Sequence, residues 1–116
     1  MTAKKLIYPD IKLIYWAGGN PFHHQQDLNR LVKAWQKPDT IIVNEIWWNS
    51  QARHADIVFP ANTALERNDI MLNPRDPTIV ANTKAMKSFG DSKTDYDIFS
   101  GLASKLGFGE LFTENR

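Results

Sequence analysis

The tightest constraint on this chain lies in Tyr15-Trp16-Ala17-Gly18-Gly19-Asn20-Pro21-Phe22-His23-His24, where an apolar run stops at two glycines and gives way to polar, donor-rich side chains. The run from Ile11 to Trp16 has the length and the β-branched or aromatic bias of a buried strand, and Asp27 to Gln36 downstream carries helical periodicity. Strand, glycine-rich turn, helix is the layout that seats a phosphate at a helix N-terminus. Gly-Gly-Asn-Pro is equally a generic tight turn, because Gly and Asn tolerate positive φ and Pro presets φ for a turn or a helix start.

Downstream of this junction the chain reads as an α/β alternation. Lys37-Pro38-Asp39 breaks the helix, and Thr40-Ile41-Ile42-Val43 is a near-continuous apolar run ending at Asn44-Glu45, which predicts a second buried strand. Asn49 to His54 fits a short helix with Asn49 as N-cap, and Ala55 to Pro60 a third strand closed by proline. Strands apolar on both faces, joined by short right-handed crossovers, predict a three-layer Rossmann-like parallel sheet with a β-α-β-α-β core and helices on both faces. Ligands of such sheets sit at the strands' C-terminal ends, here Gly18-Gly19-Asn20, Asn44-Glu45 and Pro60-Ala61. Asn62 to Asp91 is less regular: Asn73-Pro74-Arg75-Asp76-Pro77 marks a turn, and Thr78 to Ala81 a short edge strand, in a lid or connector. A C-terminal helix is well signalled, capped by Thr94 or Asp95, with Ile98, Phe99, Leu102, Ala103 and Leu106 on its apolar face and Gly107 ending it.

Composition narrows the function classes. With 116 residues, 42% of them hydrophobic, the chain can build one core that buries roughly 65% of its unfolded surface. Residues 1–7 read as a disordered N-terminal segment and 8–116 as a single α/β domain. The interspersed charges sum to +1, which gives no field for a nucleic-acid partner. No apolar run approaches the roughly 20 residues of a membrane span, so no membrane insertion is expected. The absence of cysteine excludes disulfides, iron–sulfur ligation and a thiolate nucleophile within the chain.

Individual residues carry competing readings. His23, His24 and Asp27 lie close in sequence, yet adjacent histidines point apart and no further cluster completes a metal site; hydrogen bonding or stacking on a ligand suits them better. Glu45 occupies the place of a ribose-binding acid after a second strand, or is simply an exposed residue. Trp47 and Trp48 can stack on a base or pack in a core or interface, and their exposure would indicate a missing partner surface. Arg67 can clamp a phosphate or a guanine edge, or be a solvated turn residue. Neither Gly-x-Ser-x-Gly nor Gly-x-x-x-x-Gly-Lys occurs, so hydrolase and P-loop chemistries are not indicated.

Taken together, Tyr15 to His24, Asp27-Leu28-Asn29-Arg30-Leu31, Ala34 to Thr40, Ala52-Arg53-His54-Ala55-Asp56-Ile57-Val58-Phe59-Pro60, Leu65-Glu66-Arg67-Asn68-Asp69-Ile70 and Asp95-Tyr96-Asp97-Ile98-Phe99 closely resemble the molybdenum S-oxide and N-oxide reductases. These are the dimethyl sulfoxide, trimethylamine N-oxide and biotin sulfoxide reductases. The resemblance runs from Tyr8 to Arg116 and implies an excised α/β module of a longer enzyme carrying a bis(molybdopterin guanine dinucleotide)molybdenum cofactor. It departs from the family's pattern at Met71-Leu72-Asn73, where a small or glycine-rich segment often follows Asp69-Ile70.

The resemblance further implies that 8–116 holds the guanosine end of one dinucleotide. Gly18, Gly19 and Asn20 match the loop that lets the backbone approach the nucleotide, and Asn44 and Glu45 match the polar pair after the second strand. Arg67 and Asp95 match two more pocket positions, while Pro21 and His24 match loop-shaping and contacting positions. An acid can accept from the guanine N1–H and N2–H₂ edge, and Arg can donate to O6 and N7 or to phosphate. The implied partners are the cofactor and the other domains of the parent chain, with the fragment itself a monomer. The serine that ligates molybdenum in the family lies outside this chain, so the isolated fragment is expected to be inactive. A periplasmic parent is expected, with a cytoplasmic one as the alternative. A free-standing Rossmann-like nucleotide-binding domain or a protein-interaction module stays open beside this reading.

Overall fold

A computed structural model describes residues 7–116. The expected disordered segment 1–7 therefore lies, except for Ile7, outside the described residues.

Three parallel strands form the centre of the molecule: β1 (Leu13–Ala17), β2 (Thr40–Glu45) and β3 (Ile57–Pro60), in the order β1-β2-β3. The first crossover contains α1 (Pro21–His24) and α2 (Leu28–Trp35), and the second contains α3 (Ser50–Arg53). Each helix starts where a short polar side chain can cap it. Asn20, Asp27 and Asn49 accept from the N–H of Phe22, Arg30 and Ala52 respectively. The four-residue α1 was not expected; it begins on Pro21, whose fixed φ and missing N–H suit a first helical position.

Register fixes which side chains share a face. Ile14 pairs with Ile41, Trp16 with Val43 and Val43 with Val58, so these five residues line one side of the sheet. Consecutive strands stepping in one direction through right-handed crossovers place their connecting helices on a single side. Accordingly Phe22 and Trp35 close the core over Ile41 and Val43, with Leu31, Val32 and Ala55 packed around them. The Trp35 ring lies 5.4 Å from Phe22 and 5.7 Å from Trp16, and its Nε1 donates to the His54 carbonyl at 2.9 Å. Phe22 and Trp35, both buried, each stabilise the fold by about 1.5–3 kcal/mol, with Trp16 partly buried beside them.

The opposite face of the sheet differs from the expectation that the strands are apolar and covered on both sides. Leu13, Ile57 and Phe59 are exposed there. Among the described residues α4 (Asp95–Lys105) is the helix that lies against it, setting Phe99 5.1 Å from Tyr15. Within the described residues the architecture is thus mixed α/β around a three-stranded parallel sheet, with the crossover helices on one side and α4 on the other.

Between β3 and α4 the chain makes a 3-10 turn (Ala64–Glu66) and an antiparallel hairpin of β4 (Asp69–Asn73) and β5 (Asp76–Asn82). The turn at Asn73-Pro74-Arg75 and the strand at 78–81 match the sequence reading. The partner strand β4 replaces the irregular course assigned to Ile70-Met71-Leu72. A short α5 (Gly109–Thr113) packs on α4 through Phe112 and Tyr96.

Candidate functional site at the C-terminal edge of the sheet

Parallel strands end together, so the residues after β1, β2 and β3 share one edge. After β1 the chain turns through Gly18 and Gly19, at φ +74° and +68°. That left-handed backbone favours glycine. A Cβ added at Gly18 would meet nothing within 4 Å, and one at Gly19 only Trp16 Nε1 at 4.0 Å, so the turn opens onto free space. Its carbonyls are held from inside: Trp16 Nε1 donates to Gly18 O at 2.8 Å, and the fully buried Gln51, in the amide orientation that satisfies both its atoms, donates to Gly19 O at 3.1 Å. The next residue, Asn20, uses its side-chain oxygen to cap α1, and its buried Nδ2 has no protein acceptor among the described residues. An orphaned buried donor of this kind is costly unless something occupies it.

At the end of β2 the buried Asn44 is the centre of a polar chain. Its Oδ1 accepts from the Tyr15 hydroxyl at 2.9 Å, and its Nδ2 donates to Asp95 Oδ1 at 2.8 Å. Burial pushes the Tyr15 pKa above its ordinary value and the negative Asp95 acts in the same direction, so the phenol stays a neutral donor.

Asp95 reaches this edge because segment 92–94 extends the sheet. Ala61 bridges Lys93 in parallel, Lys93 N donates to Pro60 O and Asn62 N to Lys93 O. Thr94 then caps α4, accepting from Asp97 N at 3.0 Å, and Asp95 opens the helix beside Asn44. Arg67 faces it, with Nη1 4.0 Å from Asp95 Oδ2. The guanidinium is braced rather than free: Nε donates to Asp69 Oδ2 at 2.8 Å and Nη1 to Asn62 O at 2.9 Å. The bond from Nε holds the Asp69 carboxyl below the usual carboxylate range, assisted by the Ile70 N–H. Arg67, Asn68, Asp69, Thr94, Asp95 and Tyr96 together line an open cleft of about 440 Å³.

The sequence-predicted residues therefore divide. Asn44, Arg67 and Asp95 converge, through contacts spanning residues 15 to 95. Gly18, Gly19, Asn20 and Pro21 occupy the adjoining end of the same edge. Glu45 turns its Oε1 back onto the Ile46 N–H and lines a separate cleft of about 450 Å³ with Trp47, Leu65, Met86 and Phe89. His24 and His23 stand exposed at the end of α1. His54 closes α3, with its ring Nδ1 2.7 Å from Ser50 O and its face stacked on Phe22.

Three polar residues of this edge had no local signal in the sequence. Tyr15 looked like one more apolar strand residue, and only its register opposite Ile42, beside Asn44, gives the hydroxyl a role. Gln51 looked like an ordinary helix residue. Asn62 is buried against Glu66 and Ser88, its Nδ2 donating to Glu66 O and Ser88 Oγ, and it supplies the carbonyl that braces Arg67.

Comparison with known proteins identifies this framework. The family model described as molybdopterin oxidoreductase matches residues 1–105. Biotin sulfoxide reductase from Cereibacter sphaeroides is 51% identical over 109 residues, covering 94% of this chain and 15% of the relative. Dimethyl sulfoxide/trimethylamine N-oxide reductase from the same organism is 52% identical over 111 residues, covering 94% of this chain and 14% of its own length. Trimethylamine-N-oxide reductase from Haemophilus influenzae is 48% identical over 114 residues, covering 97% and 14%. The chain belongs to the molybdopterin oxidoreductase family and spans about 14–15% of the length of the curated relatives it matches.

Proposed function

We propose that this domain, as part of a longer molybdenum-dependent reductase of S-oxides or N-oxides, binds the guanosine end of one molybdopterin guanine dinucleotide. The observation that carries this reading is the hydrogen-bonded set Tyr15–Asn44–Asp95, with Arg67 opposite, at the sheet edge beside the open Gly18-Gly19 turn.

The residues fit such a group in three respects. The glycine turn leaves space where a Cβ would sit, so a nucleotide can approach the backbone. Asn20 Nδ2 is a buried donor in need of an acceptor, which a phosphate or ribose oxygen provides. Asp95 is fixed by Asn44 at one oxygen and keeps acceptor capacity for the N1–H and N2–H₂ edge of guanine, while Arg67 supplies positive charge for a carbonyl or phosphate oxygen. Asn44 acts as a positioning residue, since it holds Asp95 and is itself held by Tyr15. Glu45, which lines the neighbouring cleft, and His24, exposed at the end of α1, are assigned to peripheral contacts outside the Arg67–Asp95 cleft.

When bound, the molybdenum centre supplies oxygen-atom transfer and the electrons that accompany it. The chain's own task is to bind and orient one end of the cofactor. The same reading makes the sheet the middle layer of a three-layer Rossmann-like arrangement in the parent, in which further chain covers Leu13, Ile57 and Phe59.

The test is Asp95→Ala in the full-length parent, followed by molybdenum content and guanine nucleotide released per polypeptide on denaturation. A marked fall in both, with the protein still folded, is expected. Unchanged occupancy would remove Asp95 from the site.

A further inference from the structure

We infer that the β4–β5 hairpin is an arm gripped on both faces by an apolar cleft from the remainder of the parent polypeptide. The inference rests on the proposed function, in which this chain is one domain of a longer enzyme. Register puts Ile70 opposite Ala81 and Leu72 opposite Ile79 on one face, and Met71 opposite Val80 on the other. All five large residues are 48–70% exposed, so neither face of the hairpin is packed within the described residues. Among the described residues, side-chain hydrogen bonds join the arm to the body only near its base, where Asn82 Nδ2 donates to Ala64 O and Arg67 O, and Arg67 Nε to Asp69.

An isolated two-stranded hairpin is at best marginally stable in water, and apolar residues on both of its faces make it worse. The pattern selects the occupant. Edge pairing with a second copy would satisfy a strand edge and leave both faces wet, and face-to-face stacking of two copies would cover one face of each. Burying Leu72 and Ile79 together with Met71 and Val80 needs walls on two sides. The matched relatives are about seven times longer than this chain, while 94–97% of this chain aligns with them, so ample polypeptide surrounds the arm. The tip carries Asn73, Arg75 and Asp76, which suits emergence from such a cleft into a polar environment. Because the base of the arm is Arg67–Asp69, gripping it also fixes the guanidinium that faces Asp95.

The test uses the full-length parent with single substitutions Ile79→Cys, Val80→Cys and Arg75→Cys. Each is pulsed with maleimide at native pH, and the label is located by peptide mass spectrometry. This chain has no cysteine of its own, so within its peptides each introduced thiol reports one place. Positions 79 and 80 should both label at least roughly tenfold more slowly than 75 at every protein concentration, because labelling needs the arm to leave its cleft. Labelling of either face as fast as the tip would overturn the two-sided grip, and protection that disappears on dilution would transfer the contact to a second copy. Repeating the pulse in an Asp95→Ala background separates the two proposals: protection that survives loss of cofactor supports the arm whether or not the nucleotide site is correct.

Discussion

The two faces of the parallel sheet are built on different principles. One is closed by apolar side chains from the crossovers themselves: Phe22 and Trp35 cover Ile41 and Val43. The other carries a polar chain, Tyr15–Asn44–Asp95, beneath a single helix and leaves Leu13, Ile57 and Phe59 exposed. The first face accounts for folding. The second places hydrogen-bonding groups where the strands end, and it is the face to which the proposed function assigns the cofactor and further chain.

Breaking the first face should have the largest effect. Trp35→Ala removes a ring packed between Trp16 and Phe22 together with its bond to His54 O, and should cost about 3–5 kcal/mol in urea unfolding. A loss under about 1 kcal/mol, the middle of the range for ordinary substitutions, would show that the helical layer is not the core. Asn44→Ala should cost less, about 1–3 kcal/mol, by leaving the Tyr15 hydroxyl and Asp95 without their partner. Here the comparison sharpens: in the parent, Asn44→Ala should lower cofactor content more than Trp35→Ala does at matched stability, and the reverse order would make Asn44 merely structural. Gly19→Ala forces a side chain into φ +68° and should cost about 1 kcal/mol without creating a clash within the chain.

The effect least visible at neutral pH comes from Glu66, a buried carboxylate that accepts from Thr63 N, the Thr63 hydroxyl and Phe89 N. These bonds hold its pKa below the ordinary value. A carboxylate depressed in the folded state contributes stability that is fully present above its unfolded pKa and is lost as pH falls through the folded value. Stability should therefore decline below about pH 4.5, and Glu66→Gln should flatten that decline in denaturation curves taken from about pH 7 to about pH 3. An unchanged pH profile would assign the acid sensitivity elsewhere, with Asp69 and Asp76 the next groups to test.

How much of this was legible in the sequence depends on the range of the interactions. The three parallel strands, the capped helices at Asp27, Asn49 and Thr94, and the glycine turn each have a local cause in apolar runs, caps or turn residues, and all are found within a few positions of where the sequence puts them. The resemblance also led to the correct family. The hairpin was half read, because Ile70-Met71-Leu72 becomes a strand only by pairing with Ile79 to Ala81. How far the second face is covered has no signal in the sequence, because Ile42 and Phe59 look the same whether or not something lies over them. Within the site, Asn44, Arg67 and Asp95 were named one by one, but what joins them, Tyr15 and the Ala61–Lys93 bridge, depends on contacts 29 to 51 residues apart that no spacing rule encodes.

The central claim, that the polar edge of this sheet receives a guanine nucleotide, is tested most directly by titrating the chain with GMP while following backbone amide chemical shifts, with AMP as control. The account predicts saturable shifts at Gly18, Gly19, Asn20, Asn44, Arg67 and Asp95, and weaker ones with AMP. The dissociation constant should be on the order of millimolar, because one domain supplies only part of the contacts. Amides at these positions that stay unmoved, or that move equally with both nucleotides, would contradict it.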